Sequence, residues 1–319
     1  MTARRTGRLR VLALGLLVTL PLTACGSEDS QPDIPLSGTV VIDGSSTVEP
    51  LSVAAGRLFT AEHPGVRVDV TVSGTGGGFK KFCAKEIDIA DASRPMSDAE
   101  YRTCGEHGVV FNVLQVANDA LTVVVDADNT WAKCLTVEQL RKIWEPGSTV
   151  ANWNEIDPAF PDEPLSLFGP DTNSGTFDYF TRAITGTEGA TRTDYRASED
   201  DNVTVAGVAA AKGALGYFGY SYYESNTDKL RAVAIDDGKG CITPSVPTAQ
   251  DGSYKPLARP LFIYLTDTAL RKPQVEKFAE FYITNNTKIV DTAGFIPMTS
   301  PQISRARAEL ADIIEIAGK

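Results

Sequence analysis

Histidine is almost missing from this sequence: there are two, His63 and His107, in 319 residues. The first lies in a helix-ending His63-Pro64-Gly65 turn, the second beside Gly108 and near Cys104. No GxSxG, HExxH or SxxK pattern can be laid on the chain, so a secreted phosphatase or serine hydrolase would lack its base. No CxxC or Cys/His cluster suggests a metal, and no cofactor motif is present. Basic residues are also short, 30 against 41 acidic, for a net charge of −11. That balance opposes nucleic acid and anionic membrane surfaces. Long apolar runs are absent too. The longest, Val11 to Leu22, is too short to span a bilayer once Pro21 is counted.

That run reads instead as the apolar part of a signal peptide over residues 1–24, preceded by Arg4, Arg5, Arg8 and Arg10. Leu22-Thr23-Ala24-Cys25 resembles a bacterial lipobox, which makes Cys25 the expected lipid-bearing residue and places the chain on the outer face of the cell membrane. Residues 25–36, polar and proline-containing, are the expected tether. Residues 1–24 hold four Arg and no acid, so the remainder carries 26 basic and 41 acidic residues, a balance of −15. An anion site on such a chain has to work through local donors. Four cysteines remain, Cys83, Cys104, Cys134 and Cys241. An even count in an exported protein suggests two disulfides. Three pairings can be drawn, and the local one is Cys83–Cys104 with Cys134–Cys241.

Strand and helix patterns alternate, which argues an α/β fold. Val66 to Val72 alternates cleanly, and Leu261 to Leu265 is a buried-type strand. Residues 109–116 and 120–125 are β-rich. Four polar turns follow strands and precede helices: Asp43-Gly44-Ser45-Ser46-Thr47-Val48, Ser73-Gly74-Thr75-Gly76-Gly77-Gly78, Asp91-Ala92-Ser93-Arg94-Pro95, and Gly169 to Thr176. In the last, Ser174 and Thr176 are helix-cap types, and Phe177, Phe180 and Ile184 follow at helical spacing. Helix starts present unpaired amides and the positive end of the dipole. Four of them at strand ends point to one shared anion site that needs no net charge.

Those four turns, in that order and behind a lipobox, resemble the PstS-like phosphate-binding proteins of ABC transporters, over about Ser37 to Ile316. The resemblance implies a two-lobed type II periplasmic-binding-protein fold with a ligand cleft between the lobes. Lobe one would be 37–116 plus 261–319 and lobe two 117–260, with hinge strands near Leu114–Asn118 and Arg259–Ile263. It implies phosphate contacts from Ser46, Thr47, Val48, Thr75, Ser93, Ser174, Gly175 and Thr176. Two departures stand out. Many members carry an Arg just upstream of Ser-Gly-Thr, where this chain has Pro170 and Asp171, and Arg94 stands where some have Asp. Arg94 is therefore expected to supply the cation from the other lobe, the alternative being a salt bridge to Asp91 or Asp98.

Choosing hydrogen phosphate over sulfate needs an acceptor for its O–H, and Asp91, Asp171 and Asp201 are the candidates. The expected partners are inorganic phosphate and an ABC permease. The alternatives are a binder of another oxyanion such as sulfate or molybdate, and a sensor or adhesion lipoprotein that kept the fold. Trp131, Trp144 and Trp153 are expected to be lobe-two core and loop anchors.

Overall fold

The computed structural model describes Thr2 and residues 35–172, 174–198 and 200–318. Apart from Thr2 and residues 35 and 36, the expected signal peptide and tether lie outside the described residues, Cys25 included, as does Asn173.

The strands among the described residues are β1 (Gly38–Gly44), β2 (Val66–Val72), β3 (Ile89–Ala92), β4 (Phe111–Asp126), β5 (Cys134–Thr136), β6 (Ser166–Gly169), β7 (Arg196–Ala197), β8 (Ala214–Gly219), β9 (Leu230–Ala232), β10 (Ala234–Asp236), β11 (Cys241–Ile242) and β12 (Ala258–Thr266). Nine form one sheet in the order β2-β1-β3-β12-β4-β8-β6-β7, with β9 also on β4; β11-β10-β5 form a second. The parallel group β1, β2, β3 and the parallel group β6, β7, β8 are joined by the antiparallel pair β4 and β12. Parallel strands need helical crossovers, so the turns that follow β1, β2, β3 and β6 gather at strand carboxyl ends.

The buried apolar residues fall into clusters on each side of the joining pair. Val40, Ile42, Leu51, Phe59, Leu261, Phe278 and Ile313 belong to one, with Phe79, Phe82 and Tyr264 across the sheet. Beyond the pair, Leu121, Trp144, Trp153, Phe180 and Tyr217 form another, backed by Phe168, Val205 and Val208. Trp144 and Trp153 are fully buried, and Trp131 packs against the same cluster.

The two β-rich stretches belong to one strand, the 16-residue β4. Its polar centre is Asn118 and Asp119. Both side chains are buried and satisfied: Asn118 donates to the Pro297 carbonyl, and Asp119 accepts from Arg259. Capping boxes start the helices at Asp98 and Val137, Ser97 with Glu100 and Thr136 with Gln139.

The disulfides are Cys83–Cys104 and Cys134–Cys241, separated by 21 and 107 residues. Loop-closure entropy makes them worth about 3.3 and about 4.8 kcal/mol. Replacing Cys134 and Cys241 by Ser should therefore cost about 1.5 kcal/mol more in denaturant unfolding than replacing Cys83 and Cys104.

Candidate functional site

Three helix starts and one strand end meet at a small cavity. Its wall is Ser45, Ser46, Thr47, Gly74, Thr75, Ser93, Gly175, Asp178, Tyr179, Arg182, Glu188 and Arg259, around a volume of about 20 Å³. That is a space for roughly one water-sized body or a compact ion. The helices begin just beyond Val48 (Glu49–Glu62), at Gly74 (Gly74–Cys83) and at Gly175 (Gly175–Thr185). Their first amides have no partner inside their own helix.

Local chemistry fixes each turn. Gly44 takes φ +146° and a Cβ there would lie 2.1 Å from the Asp91 carbonyl oxygen, so β1 leaves the sheet tight against β3. The Ser45 amide then donates to that carbonyl (2.9 Å), and the Thr47 amide to Ser45 Oγ (3.2 Å). Thr75 Oγ1 lies 3.2 Å from Ser93 Oγ and accepts from the Ser93 amide. Ser174 caps its helix by accepting from the Thr176 amide (3.2 Å). Phe177, Phe180 and Ile184 bury one face of that helix, which leaves Gly175, Asp178 and Arg182 on the cavity side.

The buried hub is Arg259, on β12. Its Nη2 donates to Thr47 Oγ1 (2.8 Å), its Nη1 to the Ser93 carbonyl (3.3 Å), and Nε and Nη2 to Asp119 Oδ2 (3.4 Å each). Its guanidinium lies 3.5 Å from the Tyr179 ring centroid. Thr47 Oγ1 also donates to the Gly175 carbonyl (3.3 Å), closing the two sides on each other. Burial pulls the Arg259 pKa down, and the Asp119 charge holds it up. Asp119 is raised by burial and lowered by Arg259. The wall's charged groups are Asp178, Arg182, Glu188 and Arg259, two of each sign.

The expected residues divide. Ser46, Thr47, Thr75, Ser93 and Gly175 are in the wall of the small cavity. Ser174 and Thr176 line a larger one, about 250 Å³, on the other side of Thr47 and Gly175, together with Asp119, Asp201, Tyr220 and Phe295. The Val48 amide bonds the Ser45 carbonyl, and its side chain is core. Arg94 stands at the rim. It forms a two-pronged pair with Glu100 (2.8 and 2.9 Å) over the Phe79 ring, instead of the expected alternative partners Asp91 or Asp98. The guanidinium groups in the wall are Arg182 and Arg259.

Of the three acceptor candidates, Asp201 lines the larger cavity, its pKa raised to about 6 by burial and by Asp200. Asp171 lies in neither wall. Asp91 is sealed behind the first turn. Ser52 donates to its Oδ1 (2.9 Å), its Oδ2 has no partner, and burial raises its pKa to about 8, helped by Glu49 and Asp43. The folded protein therefore holds a proton there that the unfolded chain releases near pH 4. Stability from this group falls as pH rises from about 4 to about 8 and then levels off. The Asp91→Asn variant should thus gain stability relative to wild type progressively over that range, measured by urea unfolding at several pH values. A constant difference would show that Asp91 is ionised in the fold.

Arg259 and Asp178 were not singled out in the sequence. The signal for Asp178 was there: Gly175, Asp178 and Arg182 recur on the polar face opposite the Phe177 stripe. For Arg259 there was only a charge opening an apolar strand, and its partner Asp119 is 140 residues away.

A family model described as a PBP superfamily domain matches residues 29–286. The chain is 44% identical over 285 residues to Protein SphX of a Synechocystis species, covering 88% of this chain and 83% of that protein. It is 34% identical over 298 residues to the phosphate-binding protein PstS of Staphylococcus saprophyticus, covering 93% and 92%. Among solved structures, a possible phosphate binding protein from Planctomyces limnophilus aligns with a TM-score of 0.84 and 46% identity, covering 88% of this chain and 99% of that one.

Proposed function

Because this chain belongs to the PstS-like family, with its two-lobed type II periplasmic-binding-protein fold, we propose that it binds inorganic phosphate outside the cytoplasm and delivers it to an ABC permease. The family is one of solute-binding proteins, and the chain's task is capture and release. The observation that carries the reading is the small polar cavity where Thr47, Thr75, Ser93, Gly175 and Arg259 converge. Hydroxyls and helix-start amides supply short donors, and the guanidinium supplies a charge-assisted one.

In this reading the lobes are 37–116 plus 261–319 and 117–260, with β4 and β12 as the strands that cross between them. Phosphate sits where Thr47 and Gly175 now touch, within reach of Ser46, Thr75, Ser93 and Arg259, with Ser174 and Thr176 completing the helix start. Arg94 shapes the rim through Glu100. The acceptor for the O–H of hydrogen phosphate is Asp178, which lines the cavity and whose pKa burial raises. A carboxylate there repels sulfate, which has no proton to share. Cys25 bears a lipid that tethers the protein to the membrane. Among the described residues, no helix is long and apolar enough to cross one.

Calorimetry with phosphate and with sulfate tests the reading. Phosphate should bind and sulfate should compete poorly. Asp178→Asn should narrow the gap between them at least tenfold, about 1.4 kcal/mol, by relaxing the penalty on sulfate. Equal binding of both anions by the wild type would remove the phosphate assignment.

A further inference from the structure

We propose that Arg182 is a second guanidinium for the bound anion, held in reserve by Glu188, so that Glu188 sets how tightly the site grips its ligand. This rests on the reading that the cavity takes phosphate. Arg182 and Glu188 are both in the cavity wall and are paired with each other through Arg182 Nη2 and Glu188 Oε2.

The chain is folded to bring Glu188 back over the helix it has just left. Gly186 ends that helix in the left-handed region, at φ +85°, with its amide on the Arg182 carbonyl (3.1 Å). The Gly189 amide then donates to Thr181 Oγ1 (2.8 Å), which itself donates to the Phe177 carbonyl (2.9 Å). Glu188, between these two glycines, is thereby brought back to pair with Arg182.

The pair is easily exchanged. Its side chains are 38% and 41% exposed, and ion pairs of that exposure contribute little. Burial lowers the Arg182 pKa first, the charges of Arg94 and Arg259 lower it further, and those of Asp178 and Glu100 offset part of the fall. In the empty site each of these guanidinium groups is held by a carboxylate, Arg94 by Glu100, Arg259 by Asp119 and Arg182 by Glu188. Glu188 neutralises one of them until a doubly charged oxyanion arrives. The anion then offers Arg182 a partner inside the cavity, where water screens less than at the rim. The ligand must compete with Glu188 to gain that contact, and the competition lowers affinity.

The test is calorimetry with inorganic phosphate on the whole protein, as wild type, Glu188→Gln, Arg182→Gln and the double variant. Removing the competitor should tighten binding, roughly two- to fivefold for a pair of this exposure. Arg182→Gln should weaken it, and Glu188→Gln should bring no gain when Arg182 is already Gln. Glu188→Ala should reproduce the gain of Glu188→Gln. A purely structural pair would give the opposite sign, with Glu188→Gln binding as wild type or more weakly, and that result overturns the proposal. So does a gain that persists without Arg182, which would place the effect in the general field of Glu188. No heat from the wild type would overturn the phosphate reading and this inference together, whereas wild-type heat with an unchanged Glu188→Gln constant overturns this inference alone.

Discussion

Gly175→Ala should bind phosphate at least tenfold more weakly and Gly175→Val at least a hundredfold, about 1.4 and about 2.7 kcal/mol, with the unliganded fold intact. A Cβ at Gly175 would lie 2.6 Å from Thr47 Oγ1, 2.7 Å from Ser46 Oγ and 2.7 Å from the Thr47 amide nitrogen. The hydroxyls can rotate away, but the amide belongs to the turn that Ser45 fixes on the Asp91 carbonyl. The overlap is between the two sides of the cavity and not within either core. It therefore penalises the closed arrangement selectively, and ligand affinity falls with the population of that arrangement. Gly175 is the first residue of its helix, where Ala has no helix-forming disadvantage. Thermal unfolding without ligand should consequently stay near wild type, and calorimetry should carry the whole effect. Unaltered binding by Gly175→Val would mean that Thr47 and Gly175 never close on the ion.

Arg259→Met should lose phosphate binding by a hundredfold or more and also destabilise the protein. The first loss follows from removing a buried charged donor that reaches Thr47 and Ser93. The second follows from Asp119, buried and raised by burial, which would lose its partner. Breaking such a pair from one side costs about 3–5 kcal/mol. Adding Asp119→Asn to Arg259→Met should restore most of the stability and none of the affinity. Urea unfolding reads the first quantity and calorimetry the second. If affinity returned with stability, Arg259 would be a scaffold residue and not a ligand contact.

How far the sequence reached can be seen residue by residue. β2 occupies Val66–Val72 as the alternation placed it, because an alternating pattern has one register that buries its apolar side. Thr47, Thr75, Ser93 and Gly175 were legible because strand–turn–helix chemistry is local: a glycine for close approach, a hydroxyl for a cap, an apolar stripe for the helix behind. Arg259 with Asp119 was not, since only the register of β12 on β4 brings Arg259 opposite Asp119. The same pairing joins the two β-rich stretches into β4, where Asn118 and Asp119 are buried by partners far along the chain. The role expected of Arg94 rests on its position in a turn, and in the structure its guanidinium is paired with Glu100, the capping-box glutamate three residues after Ser97.

On this reading a chain of net charge −11 holds a small oxyanion in a wall of balanced charge, by hydroxyls, helix-start amides and one guanidinium. A crystal structure of the protein with phosphate tests this most directly. One ion should lie between Thr47 and Gly175, within hydrogen-bond distance of Thr47 Oγ1, Thr75 Oγ1, the Gly175 amide and Arg259. An ion bound anywhere else, or bound without Arg259 and the Gly175 amide, would contradict it.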